Sequence, residues 1–159
     1  MTAPPRTVRL LVCGERLRGD DGAALSAVAS LPPDIRAMAE IVETGQLGVE
    51  ALLDVPEGAA VIVADAAVGA AAGRVVTMPL ADVARSGGSG IAPASSHSLP
   101  PDQALALAEE LHGSLPRGSF VGIGGAEFSY GEGLSEAVAA GLPAFATAIA
   151  DEIRRFARV

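Results

Sequence analysis

Three side chains of this 159-residue sequence carry the donor types of a metal-contacting or hydrolytic site: Asp21, Asp65 and His97. Each follows a different segment that reads as a β-strand, so a parallel sheet would gather them on one edge although they lie far apart in the chain. Two carboxylates and an imidazole form an oxygen, oxygen, nitrogen set. Borderline divalent ions such as zinc or nickel accept such a set and keep positions open for a substrate. The spacing has none of the specificity of an HExxH helix, where two ligands are fixed one turn apart. Each residue also has a plain structural reading. Asp20 ahead of a helix reads as an N-cap, and Asp21 in the first turn complements the helix dipole. Asp65 can cap a turn at a strand end, and His97 beside serines reads as an exposed loop histidine. His112, at a helix end, reads as facing solvent or the dipole.

The elements that must position these side chains follow from the apolar pattern. Residues 8–13 are a strand that empties into Gly14-Glu15-Arg16-Leu17-Arg18-Gly19-Asp20-Asp21-Gly22, and residues 23–31 leave that loop as an Ala/Leu-rich helix ended by Pro32-Pro33. Residues 38–43 read as a second strand and 47–53 as a helix. The continuous apolar run 59–64 reads as a central strand, buried on both faces and terminating at Asp65. Residues 74–78 are a further strand candidate, with a short helix from Pro79. Residues 86–96 are rich in turn formers and read as a mobile loop that delivers His97 to the start of a helix over 103–112. Residues 119–124 are the last strand. A helical tail over 135–158 is expected to break or kink near Gly141 and Pro143. Strands alternating with helices predict one α/β domain over residues 1–159, a three-layer α/β/α sandwich around a mostly parallel sheet of about five strands.

Composition narrows the function. The net charge is −8, every basic residue apart from the two histidines is arginine, and the chain has one tyrosine and four phenylalanines. Neither a basic stripe nor an aromatic stacking platform is available, which disfavours nucleic acid as a partner. No apolar run reaches the roughly 18 residues of a membrane span, and residues 1–6 lack the long apolar stretch of a signal peptide, so a soluble cytoplasmic protein is expected. The single cysteine, Cys13, lies in the first apolar run and reads as a buried structural thiol. Gly14 to Gly19 has the gap of a phosphate loop, but Asp20-Asp21 stands where lysine and a hydroxyl residue belong, and like charge repels phosphate. Ser95 and Ser96 precede His97 without a nucleophile-elbow pattern, leaving a hydrolase built on Ser95 or Cys13 as a minor alternative.

Taken together, these blocks resemble the maturation endopeptidases of nickel-iron hydrogenases. Residues 14–22 look like that family's Gly-Asn-x-Leu-x-x-Asp-Asp/Glu-Gly opening, and Thr44-Gly45-Gln46-Leu47-Gly48 with Leu52-Leu53 resembles its second block. Val61-Ile62-Val63-Ala64-Asp65-Ala66 is similar to its strand-aspartate block and Ser96-His97-Ser98-Leu99 to its histidine block. Val121-Gly122-Ile123 and Gly133-Leu134-Ser135-Glu136-Ala137-Val138 resemble its last strand and final helix. The resemblance implies an enzyme that removes a C-terminal peptide from the hydrogenase large-subunit precursor once nickel is installed. It further implies that Asp21, Asp65 and His97 contact that nickel, which belongs to the precursor rather than to the enzyme. A monomer is expected. A non-catalytic, nickel-dependent checkpoint that docks the precursor without cutting it is the alternative. Histidine coordination requires the neutral ring, whose ordinary pKa is about 6.5, so activity is expected to fall in mild acid. Glu15 departs from the family's asparagine and adds a carboxylate; Val12, Ala24 and Gly124-Gly125 depart elsewhere and leave the three ligand positions intact.

Overall fold

The computed structural model describes residues 7–86, 90–94 and 99–157. His97, Ser95 and Ser96 lie outside the described residues, as do the first six positions and part of the 86–96 loop.

Strand β1 (Val8–Cys13) is buried along its whole length. Its side chains alternate between two cores, as the two-residue period of a strand requires: Leu10 and Val12 face one, Leu11 and Cys13 the other. β3 (Ala60–Val68) repeats the division, with Ile62 and Ala64 on the first side and Val61, Val63 and Ala67 on the second. The first core is closed by α1 (Ala23–Ala29), α2 (Pro33–Arg36) and α6 (Glu136–Ala157). α3 (Val49–Leu53), α4 (Leu80–Ala84) and α5 (Pro101–His112) close the second. The result is the three-layer α/β/α sandwich read from the sequence.

The sheet has the order β2-β1-β3-β6-β4, with β5 joined to β3, where β2 is Glu40–Gly45, β4 is Val75–Pro79, β5 is Ala92–Pro93 and β6 is Gly118–Gly124. β1, β2, β3 and β6 pair in parallel; β4 closes one side antiparallel to β6, and β5 runs antiparallel to the end of β3. Among the described residues no helix is long and apolar enough to cross a membrane.

Four differences from the sequence reading have a physical cause in the packing. β2 starts at Glu40 rather than Met38, because the Met38 and Ala39 amides still close the turn after α2 by donating to Ile35 and Arg36. β3 does not stop at Asp65: β6 pairs with it as far as Ala67 and β5 pairs with Ala67 and Val68, so partners exist beyond the aspartate. The stretch read as loop contains β5, whose pairing supplies order that its composition does not advertise.

The fourth difference is α6, which runs unbroken through Gly141 and Pro143. A β-carbon on Gly141 would come within 2.6 Å of the Gly73 carbonyl oxygen and 2.9 Å of Ile123 Cδ1, so this glycine serves a close approach rather than a break. Proline inside a helix costs about 3 kcal/mol. Phe145, Ile149, Ile153 and Phe156 continue the helix into the core, and at roughly 1.5–3 kcal/mol for each large apolar side chain their burial exceeds that cost.

Candidate functional site

β1 ends at Cys13, and the chain reverses through Gly14, whose φ of +117° is a backbone region that favours glycine. A β-carbon at Gly14 would overlap the Asp21 carbonyl oxygen, so the two ends of the loop lie directly on one another. Two hydrogen bonds fix this closure. The Gly14 amide donates to the Gly45 carbonyl at the end of β2 at 2.7 Å, and the Glu15 amide donates to Asp21 Oδ2 at 3.0 Å. Asp21 therefore sits above the end of β1 with only 5 % of its surface exposed, inside the 3₁₀ turn Gly19–Gly22 that leads into α1.

Asp65 reaches the same place along another path. The parallel register pairs Val12 with Ala64, so Asp65 stands one residue beyond the last β1 partner, where β1 stops and the sheet opens on that side. It is fully buried. By alternation it shares the face of Val61 and Val63, the face that α5 covers. Cys13, at the corresponding level of β1, responds to both carboxylates. Burial pushes its thiol pKa up, Asp65 pushes it further, the Thr44 hydroxyl 3.4 Å away works in the opposite sense, and the Asp21 charge again raises it. The thiol stays protonated and buried, in line with the structural role read from the sequence.

The third residue, His97, lies between two described segments of the chain. Ala94, three residues before it, donates its amide to the Ala66 carbonyl at 2.9 Å, next to Asp65, and α5 begins four residues after it at Pro101. Among the described residues, no group of three or more His, Cys, Asp or Glu side chains is arranged to hold a metal ion. The described part of the site thus supplies Asp21 and Asp65, two oxygen donors brought into a low-dielectric region where negative charge is costly unless paired or solvated by hydrogen bonds.

Asp20 is a correction to the sequence reading. The N-cap position of α1 is Gly22, and Asp20 caps nothing there. Its carboxylate points the other way and accepts four hydrogen bonds from residues more than a hundred positions on. The Ala126 and Glu127 amides donate to Oδ2 at 2.8 and 2.9 Å, the Ser135 hydroxyl donates to Oδ2 at 2.8 Å, and the Ser135 amide donates to Oδ1 at 2.7 Å. Burial pushes the Asp20 pKa upward, but the donors at Ser135, Ala126 and Glu127 outweigh it and hold the carboxyl below the ordinary range. The only sequence signal for this partnership was Ser135 immediately ahead of a helix. His112 likewise has a defined partner: Nε2–H donates to the Leu53 carbonyl at 3.0 Å, joining α5 to α3.

Beside the loop lies a cleft of about 270 Å³ lined by Arg16, Gly19, Gly22, Ser26, Gly133 and Leu134. A larger hollow of about 450 Å³ opens at the opposite edge of the sheet, between Val55, Glu57, His112 and Arg117. Neither Asp21 nor Asp65 lines it.

No family model matches the chain, and no curated protein matches it in sequence. Solved structures do match. A [NiFe] hydrogenase maturation protease, HybD from Thermococcus kodakarensis, is 22 % identical with a TM-score of 0.71, covering 95 % of this chain and 99 % of its own. The hydrogenase maturating endopeptidase HybD from E. coli is 22 % identical with a TM-score of 0.73, over 93 % of this chain and 92 % of its own. The maturation protease HycI from Thermococcus kodakarensis, at 19 % identity and a TM-score of 0.64, covers 94 % of each. The chain has the fold of these proteins over nearly its whole length.

Proposed function

We propose that this chain is a processing endopeptidase that removes a C-terminal peptide from the nickel-loaded large-subunit precursor of a nickel-iron hydrogenase. The observation that carries the reading is the arrival of Asp21 and Asp65, from the ends of different chain segments, as buried carboxylates at one edge of a sheet whose fold is that of hydrogenase maturation proteases. On this reading Asp21, Asp65 and His97 contact the nickel that the precursor brings, and the enzyme acts as a cytoplasmic monomer.

The chemistry follows from charge. A precursor that carries nickel offers a dication to two buried carboxylates and a nickel-free precursor does not, so on this reading the site distinguishes the two by electrostatics. The metal then polarises the scissile carbonyl or lowers the pKa of an attacking water, both established roles of a bound dication in hydrolysis. An incomplete donor set suits a metal that arrives with ligands of its own.

Mass spectrometry of the nickel-loaded precursor after incubation with this protein tests the proposal, beside nickel-free precursor and an Asp65→Ala variant. Loss of one defined C-terminal peptide, only with nickel and only with Asp65 intact, is the expected result. An uncut cognate precursor that nevertheless binds in a nickel-dependent way would replace the peptidase with a docking checkpoint.

A further inference from the structure

The adjacent aspartates of the loop divide the work. We infer that Asp20 is a positioning residue: it clamps the Asp21 loop to the segment 125–135 and thereby sets where the Asp21 carboxylate stands. The inference rests on the reading that Asp21 faces the precursor's metal.

Asp20 is fully buried and its carboxylate is committed to protein donors: three converge on Oδ2 and one on Oδ1. Turning it toward a cation would strand the Ala126, Glu127 and Ser135 amides. The backbone around it is fastened in the same direction. The Asp20 amide donates to the Glu127 carbonyl at 2.7 Å, the Gly19 amide to the Gly131 carbonyl at 2.9 Å, and the Gly131 amide returns a bond to the Leu17 carbonyl at 2.7 Å. Gly19 allows this contact, since a β-carbon there would lie 2.5 Å from the Glu127 carbonyl oxygen. Seven hydrogen bonds thus bind residues 17–20 to residues 126–135, and Asp21 is the next residue after the last clamped one. A displacement of Asp20 is passed on through one peptide unit.

Ser135 is where the clamp can be loosened without touching the site. Its hydroxyl donates to Asp20, while its carbonyl accepts the Ala139 amide as α6 begins. Ser135→Ala removes one of the donors on Oδ2; Ser135→Thr keeps a hydroxyl. Asp20→Asn is the stronger perturbation, because an amide nitrogen would face a donor on whichever side it lies.

The Glu15 amide reports directly on the Asp21 carboxylate that it bonds. Hydrogen exchange at Glu15 is expected to rise in Ser135→Ala and Asp20→Asn by about tenfold or more beyond any rise that lost global stability brings to the central strand at Val61 to Val63, and to return to the wild-type rate in Ser135→Thr. In the cleavage assay with nickel-loaded precursor, kcat is expected to fall about 10- to 100-fold in Ser135→Ala, with KM little changed, the size of loss seen when a residue that orients a ligand is removed. Arg155→Ala, which removes the ion pair with Glu152 on α6, serves as a stability control and is expected to leave kcat unchanged at temperatures well below melting. Unchanged exchange at Glu15 in both Ser135→Ala and Asp20→Asn would overturn the inference, as would an equal loss of kcat in Arg155→Ala. If the wild-type protein cuts no cognate precursor, the proposed activity fails, and the exchange experiment still decides whether Asp20 holds Asp21 in place.

Discussion

The two edges of the sheet handle buried charge in opposite ways. At the amino edge, Arg9 of β1 donates through one terminal nitrogen to the Asp54 carbonyl and carboxylate, at 2.9 and 3.1 Å, and through the other to Glu40 at 3.0 Å. Its side chain is 10 % exposed while those of Glu40 and Asp54 are 53 and 83 % exposed, so a buried cation is neutralised by anions that remain in water. At the carboxyl edge, Asp20, Asp21 and Asp65 are all buried, and they share one sign. Asp20 is satisfied by amide dipoles and a hydroxyl, which stabilise a charge without cancelling it. The contrast is between a buried cation whose partners reach water and a gathering of buried acidic side chains, an arrangement that on the proposed reading favours an incoming cation.

The strongest attempt to break this contrast is Asp65→Asn, which keeps the shape of the side chain and removes its charge. If Asp65 contacts the precursor's metal as proposed, cleavage of nickel-loaded precursor is expected to fall by at least about 100-fold, more than the 10- to 100-fold effect of losing a residue behind a ligand. Mass-spectrometric time courses on protein shown to be folded by circular dichroism measure it, and retained activity would place the field elsewhere. Gly14→Ala should come next, because the new methyl group meets the Asp21 backbone at a φ of +117°. A loss of roughly 3 kcal/mol or more is expected, read from denaturant unfolding.

Asp20→Asn should lower stability by roughly 2–4 kcal/mol, because a charged acceptor of several amides is lost and donors are left facing a donor. The pH dependence sharpens the assignment. The folded pKa of Asp20 lies below its unfolded value of 3.8, so its contribution is present above that value and is lost as pH falls through the depressed folded pKa. Acid titration of stability should therefore show a component below about pH 4 in the wild type that is missing in Asp20→Asn. Identical acid profiles would mean that the carboxylate is not held as its hydrogen bonds indicate.

Only the carboxyl side of this contrast was legible in the sequence, and the limits are physical. The strand cores were readable because β1 and β3 are apolar runs closed on both faces, and the edge they share followed from strand-helix alternation. That alternation puts Asp21 and Asp65 on one edge. The end of β3 was not readable, because extension beyond Asp65 depends on pairing with β5 and β6, which come later in the chain. The helical tail was read, but the expected break or kink at Pro143 came from a local rule that ignores the core that Phe145 to Phe156 enter. Asp20 was misread for the clearest reason: its partners are amides 106 and 107 residues away and Ser135, 115 residues away, and an amide has no signature in a sequence.

The smallest expected effect tests the other side of the comparison. Arg9→Met removes the buried cation and keeps an unbranched apolar stem. Arg9 Nε is buried with no hydrogen-bond partner among the described residues, so part of the desolvation cost of the guanidinium goes uncompensated. Glu40 and Asp54, being largely exposed, can return to water when Arg9 is gone, and the exposed end of such a pair contributes little. The two effects oppose each other, and unfolding free energy should change by no more than about 1 kcal/mol, with cleavage unaffected. Arg9→Ala should cost more than Arg9→Met, because it also removes the packing of the stem. A large loss of cleavage in Arg9→Met, with stability preserved, would show that the field at the carboxyl edge depends on the cation at the amino edge. The separation of a structural edge from a functional one would then fail.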